Sequence, residues 1–116
     1  MRMVKVMIPA LLLLASIAQA QTLTAAQAKA HVGENATVCG TVVSEHTATS
    51  SRGEPTFINL DSAYPNQVFT ILVWGDDRKK VGELPRLKSR VCASGQIKGY
   101  RGEAEMVVRS SAQFRH

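Results

Sequence analysis

The chain has 116 residues, with 14 Lys+Arg against 9 Asp+Glu and a formal charge of +5. That length permits one small domain and excludes a two-domain enzyme with a cleft between halves, an α/β barrel or a full dinucleotide-binding fold. At 45% hydrophobic and 20% charged, the composition is that of a globular chain rather than a disordered one.

Residues 1–20 read as a signal peptide. Arg2 and Lys5 make a positive start, Val6 to Ile17 are apolar, and Ala18-Gln19-Ala20 supplies small residues for a signal peptidase, with cleavage predicted after Ala20. A membrane anchor is the rival reading, but a spanning helix needs about 20 apolar residues. This run is shorter and carries Pro9. Cleavage leaves 96 residues, 12 of them basic and 9 acidic. The sequence thus predicts one domain over 21–116, periplasmic or secreted, with no stable membrane insertion after cleavage.

The mature part then runs as follows. Thr22-Leu23-Thr24 precedes an alanine-rich stretch, Ala25 to Val32, which predicts a short N-terminal helix stopped at Gly33. A first strand is predicted over about Ala36–Ser44, then a Thr, Ser and Gly-rich loop from Glu45 to Pro55. A second strand spans Thr56–Asp61, and Tyr64-Pro65 marks a turn. Gln67–Trp74 is the most strand-like run of the chain. Gly75-Asp76-Asp77 breaks it, and basic Arg78–Ser89 allows at most a short helical turn. A fourth strand is predicted over Arg90–Lys98, a tight turn at Gly99-Tyr100-Arg101-Gly102, and a fifth strand over Glu103–Arg109. Five short strands without long intervening helices predict an all-β barrel or sandwich.

Export makes Cys39 and Cys92 a predicted disulfide. Each follows a valine in an alternating run. If Val38, Gly40 and Val42 face the core on one strand, and Val91, Ala93 and Ile97 on its neighbour, both thiols point to the same outer side. A zinc site would need four ligands and a redox pair usually shows C-x-x-C; neither pattern is present.

Val38-Cys39-Gly40-Thr41-Val42, Pro55-Thr56-Phe57-Ile58-Asn59-Leu60, Phe69 to Gly75, Val91 to Ile97 and Gly99-Tyr100-Arg101-Gly102 together resemble small secreted bacterial proteins of the OB-fold nucleic-acid-binding type. The likeness covers about Glu34 to Gln113. It implies a five-stranded Greek-key barrel with strands one and four adjacent, which again brings Cys39 near Cys92. It also implies ligands across strands two and three, bordered by the loops Glu45–Pro55 and Gly99–Glu103.

Single-stranded nucleic acid needs cations for phosphates and aromatic faces for bases. Arg52 and Arg101 are the candidate cations of those loops, and Tyr100 the candidate stacking residue. Phe57 and Asn59 face the ligand surface if Ile58 and Leu60 face inward. Trp74 joins them if Phe69, Ile71 and Val73 face inward; packing is the competing role for Trp74, and covering the barrel end the competing role for Tyr100. Six basic residues between Arg78 and Arg90, opposed by Glu83, suggest either a patch for an anionic partner or a solvated loop.

Catalytic chemistry has little support. His31, His46 and His116 lack metal-ligand spacing, and Asp76-Asp77 reads as strand-end punctuation. Glu103 and Glu105 share one face of a strand, but they flank a hairpin where no burial is expected to raise a pKa. Some nucleases use an OB-like barrel with carboxylates and arginines around calcium; the motif of that family is absent. Asn35-Ala36-Thr37 matches the glycosylation pattern, relevant only in a eukaryotic secretory pathway. The expectation is a non-catalytic module without cofactor or metal, binding single-stranded nucleic acid with weak sequence selectivity. The alternative is a periplasmic protein- or glycan-binding accessory module.

Overall fold

The computed structural model describes residues 2–5 and 21–116. The predicted signal peptide, apart from residues 2–5, lies outside them. Eight strands form among the described residues: β1 (Gln21–Thr24), β2 (Asn35–Thr47), β3 (Thr56–Leu60), β4 (Phe69–Val73), β5 (Arg90–Gln96), β6 (Lys98–Tyr100), β7 (Glu103–Val107) and β8 (Phe114–Arg115). One short α-helix, α1 (Arg78–Val81), follows β4. Hydrogen bonds link the strands in the order β6-β7-β4-β3-β2-β5-β8, with β1 on β2. All pairs are antiparallel except β1 with β2 and β4 with β7.

The five predicted strands correspond to β2, β3, β4, the β5–β6 pair and β7. The other strands are short edges. The predicted N-terminal helix is corrected to a 3-10 turn at Ala28–His31. Two local effects account for this. Thr22 to Thr24 belong to β1, which pairs with Thr37 to Cys39 of β2 and buries Leu23. The turn is then locked by reciprocal bonds, the Thr24 amide donating to Gln27 Oε1 (2.9 Å) and the Gln27 amide to Thr24 Oγ (3.3 Å). What remains before Gly33 is too short to sustain an α-helix, whose first turn is costly to form.

β2 organises the sheet. Its first half pairs with β5 in unbroken register from Asn35↔Gln96 to Thr41↔Arg90. Cys39 lies directly opposite Cys92, and the two form a disulfide. Val38, Val91 and Ala93 point the other way and are buried, as alternation requires. The second half of β2 pairs with β3, and between Val42 and Ser44 the register shifts by one residue. That bulge exchanges the faces of the strand. Val42 is in the core, whereas Ser44 and His46, also even-numbered, emerge on the opposite side opposite Asn59 and Phe57.

The corner beside the bulge is pinned. The Asp61 amide donates to the Thr41 carbonyl and the Thr41 amide to Asp61 Oδ1, both at 2.8 Å. A Cβ on Gly40 would lie 2.9 Å from that carboxylate oxygen and 3.0 Å from Leu60 Cβ, so the crossing requires glycine here.

Ile58 and Leu60 of β3, Phe69, Ile71 and Val73 of β4, and Ala104 and Met106 of β7 fill the core, with Val81 of α1 beneath them. β5 and β7 approach without a backbone ladder being formed between them. Gln113 fills the gap: its Nε2 donates to the carbonyls of Ser94 (3.0 Å) and Val107 (3.2 Å), while Oε1 accepts from the Arg109 amide (2.8 Å). No helix among the described residues is long and apolar enough to cross a membrane.

Two stability outcomes follow. Replacing both cysteines by serine frees a long loop and lowers the urea-unfolding free energy by about 2–4 kcal/mol. Gln113→Ala leaves two carbonyls and one amide unpaired at the seam, and its urea midpoint falls by an amount equivalent to about 1–3 kcal/mol; an unchanged midpoint would mean the seam holds without that side chain.

Candidate functional site

Alternation inside each strand carries one face to the core and leaves the other to form a second surface. On that surface the cross-strand pairs Ser44↔Asn59, Asn59↔Thr70, Thr70↔Glu105 and Glu105↔Lys98 line up in one row over β2, β3, β4, β7 and β6. Hydrogen bonds knit its centre. Thr70 Oγ donates to Asn59 Oδ1 (2.6 Å), and Asn59 Nδ2 to Ser44 Oγ (2.8 Å). A parallel row, His46↔Phe57↔Leu72↔Val107, lies on one side. On the other side Tyr100 pairs with Glu103, which accepts a 2.7 Å bond from Gln67 Nε2.

These rows floor a groove of about 640 Å³ lined by Ser44, His46, Phe57, Asn59, Tyr64, Gln67, Thr70, Tyr100, Arg101, Glu103 and Glu105. Phe57 is half-buried in the floor, whereas Tyr64 and Tyr100 stand exposed at the lips. Arg101 occupies the hairpin tip with φ at 50°, followed by Gly102 at 81°. Its guanidinium carbon lies 5.3 Å from the centre of the Tyr100 ring, a cation–π contact.

Three of the five sequence-predicted ligand residues, Phe57, Tyr100 and Arg101, meet in this groove. Arg52 and Trp74 do not line it. Trp74 lies against the Glu45–Pro55 loop, where a Cβ on Gly53 would sit 2.9 Å from the indole; the residue is 37% exposed. The neighbouring Gly75 amide donates to the Gly53 carbonyl at 2.8 Å. Trp74 therefore packs the loop, and Arg52 is carried on its exposed outer side.

The sequence reading missed Tyr64 and Gln67, which precede β4 in a turn. It also placed His46 in a loop, because the bulge and the longer β2 are invisible to simple alternation. For Glu105 the expectation fails outright. Burial raises its carboxyl from its ordinary value, with Lys98 opposing the shift. Gln67 Oε1 is buried in the same wall without a hydrogen-bond partner.

The basic segment is divided in use. Arg78 donates to Thr56 Oγ at 2.9 Å and so ties α1 to β3, while Lys79, Lys80, Arg86, Lys88 and Arg90 are exposed. A smaller hollow of about 290 Å³ lies between Glu83–Arg86, Ser89 and His116. No group of three or more His, Cys, Asp or Glu side chains among the described residues is arranged to hold a metal ion. Comparison with protein-family models and with curated proteins finds no match for the chain.

The raised Glu105 carboxyl has a consequence for stability. The folded chain keeps that proton at a pH where the unfolded chain has lost it, so stability falls as pH rises through the interval between the two pKa values. Glu105→Gln removes this loss. Its melting temperature relative to the parent rises as the pH is raised through and above the ordinary glutamate pKa in parallel thermal melts; a constant offset would show that the carboxyl is as well solvated folded as unfolded.

Proposed function

We propose that the mature chain is an exported, non-catalytic binding module of the OB-fold type, whose groove takes single-stranded nucleic acid with weak sequence selectivity. Three features of the sheet support the fold reading. β2, β3 and β4 form an antiparallel meander, β7 returns parallel to β4, and β5 lies on the other edge of β2. That order of strands supports the reading of a five-stranded OB barrel in which β5 and β6 together would serve as the fourth strand. The disulfide fits an oxidising compartment.

The observation that carries the ligand reading is the pairing of Tyr100 with Arg101 at the lip and Phe57 on the floor of one groove. Flat rings take bases by stacking, and a guanidinium takes phosphate through paired hydrogen bonds. A second reading is favoured by Glu103 and Glu105. Two carboxylates beside aromatic rings also suit the hydroxyl groups of a glycan, which brings no charge.

Salt separates the two. Fluorescence anisotropy of a labelled single-stranded 12-mer with oxidised mature protein is expected to give binding at low salt that weakens steeply as salt is added. Tyr100→Ala or Phe57→Ala lowers affinity by roughly 5- to 150-fold, equivalent to about 1–3 kcal/mol per stacked base. Absence of binding at low salt rejects nucleic acid as the ligand, and salt-insensitive capture of an oligosaccharide supports the glycan reading.

A further inference from the structure

The groove is unevenly supplied with hydrogen-bonding groups. One wall carries the carboxylates of Glu103 and Glu105, both acceptors; the unpartnered Oε1 of Gln67 is buried behind it. Gln67 Nε2 is already given to Glu103, Thr70 Oγ to Asn59, and one hydrogen of Asn59 to Ser44. Among the described residues that line the groove, Arg101 is the one Lys or Arg, and it sits at the lip beside Tyr100. A phosphate therefore has a partner in Arg101 but also meets the carboxylates of Glu103, opposite Tyr100, and Glu105. A group that fits the inner wall must bring donors.

Nucleobases differ in this respect. Cytosine presents an exocyclic amino group where thymine presents a carbonyl oxygen, and a carboxylate accepts from the first and repels the second. We infer that the Glu103–Glu105 wall reads the amino edge of bases stacked on the groove aromatics, so that the site favours amino-bearing bases, cytosine among them, over thymine and uracil. This inference rests on the nucleic-acid reading of the groove and narrows it.

The wall is positioned for that task by the fold. Glu105 is fixed between Thr70 of β4 and Lys98 of β6, and Glu103 is oriented by Gln67. Burial around Glu105 lowers the local dielectric and sharpens the difference between an attractive amino group and a repulsive carbonyl. The preference also runs against the default. Without base reading, oligo-dC and oligo-dT bind a stacking groove comparably, because stacking platforms and cationic funnels tolerate any base.

The test is the ratio of affinities for dC12 and dT12, measured by anisotropy at pH 7.5 and one fixed salt concentration. The native protein is expected to bind dC12 about 10-fold more tightly than dT12, within the range for one good base contact. In Glu103→Gln/Glu105→Gln the ratio falls to about 2-fold or less, because an amide offers a donor to the thymine carbonyl as readily as an acceptor to the cytosine amine. Loss of negative charge alone raises both affinities and leaves the ratio unchanged; that result overturns the inference. Equal binding of dC12 and dT12 by the native protein overturns it while leaving the groove a nucleic-acid site. Failure to bind either oligonucleotide rejects both readings together. The native ratio needs no variant, so the outcome does not depend on how the double substitution folds.

Discussion

One covalent link fixes the phase of the whole sheet. With Cys39 locked opposite Cys92, β2 and β5 cannot slip, and the face that carries Val38, Val91 and Ala93 must be the core face. A slip of one residue would turn every side chain of a strand to the wrong side. β2 also pairs with β1 and β3, so its phase passes from strand to strand through β4 to β7. The groove row from Ser44 to Lys98 is the far end of that transmission. The disulfide and the groove lie in different parts of the sheet, yet the first sets which residues the second displays.

The bulge between Val42 and Ser44 is the one deliberate break in the phase. Without it Ser44 and His46 would follow Val42 toward the core, where an unpaired polar side chain is costly. With it, the strand supplies apolar groups to the interior in its first half and polar groups to the groove in its second. Gly40 and Asp61 make this possible by letting two chains touch beside the bulge and by hydrogen-bonding the backbone there. Local backbone irregularity thus serves the site rather than the core.

Much of this was legible in the residues. Valine-cysteine alternation in two separate runs predicted the disulfide and its partner strands. Alternation in Thr56–Asp61 offered Ile58 and Leu60 as inward residues, and in Phe69–Val73 it left two phases open; Ile58, Leu60, Phe69, Ile71 and Val73 are the ones in the core. Phe57 and Asn59 followed onto the outer face. Other features had no local signal. The Ala25–Val32 stretch has the composition of a helix, but the residues that would cap it, Thr22 to Thr24, are taken by the parallel pairing of β1 with β2, a contact that no local pattern encodes. Arg52 and Trp74 were assigned to the ligand surface by loop and parity, but Trp74 lies at the strand end, where the Gly53 contact captures it. The burial of Glu105 depends on Thr70 and Lys98 flanking it from two other strands, which no single-strand pattern encodes.

The groove combines a fixed floor with an open lip, and the two halves have different chemistry. Asn59 and Thr70 are buried and bonded to each other, so the floor has little freedom to repack around a ligand. Tyr64, Tyr100 and Arg101 are exposed, and their positions are set by turns rather than by the core. On the proposed reading, sequence-tolerant contacts, stacking and phosphate pairing, would belong to the lip, and directional contacts to hydrogen-bond edges to the Glu103–Glu105 wall. The Arg101 cation at the rim and the carboxylates of Glu103 and Glu105 beside it oppose a ligand whose charge and polarity are uniform along its length. They suit one that is anionic on its outside and carries donors on its inside edge. A strand of nucleic acid with its bases turned inward has that distribution of charge and donors. The basic side chains of the Arg78–Arg90 segment add positive potential outside the groove without neutralising Glu103 and Glu105 within it. On the proposed nucleic-acid reading, selectivity would reside in the wall that repels, because the attractive lip would accept every base alike.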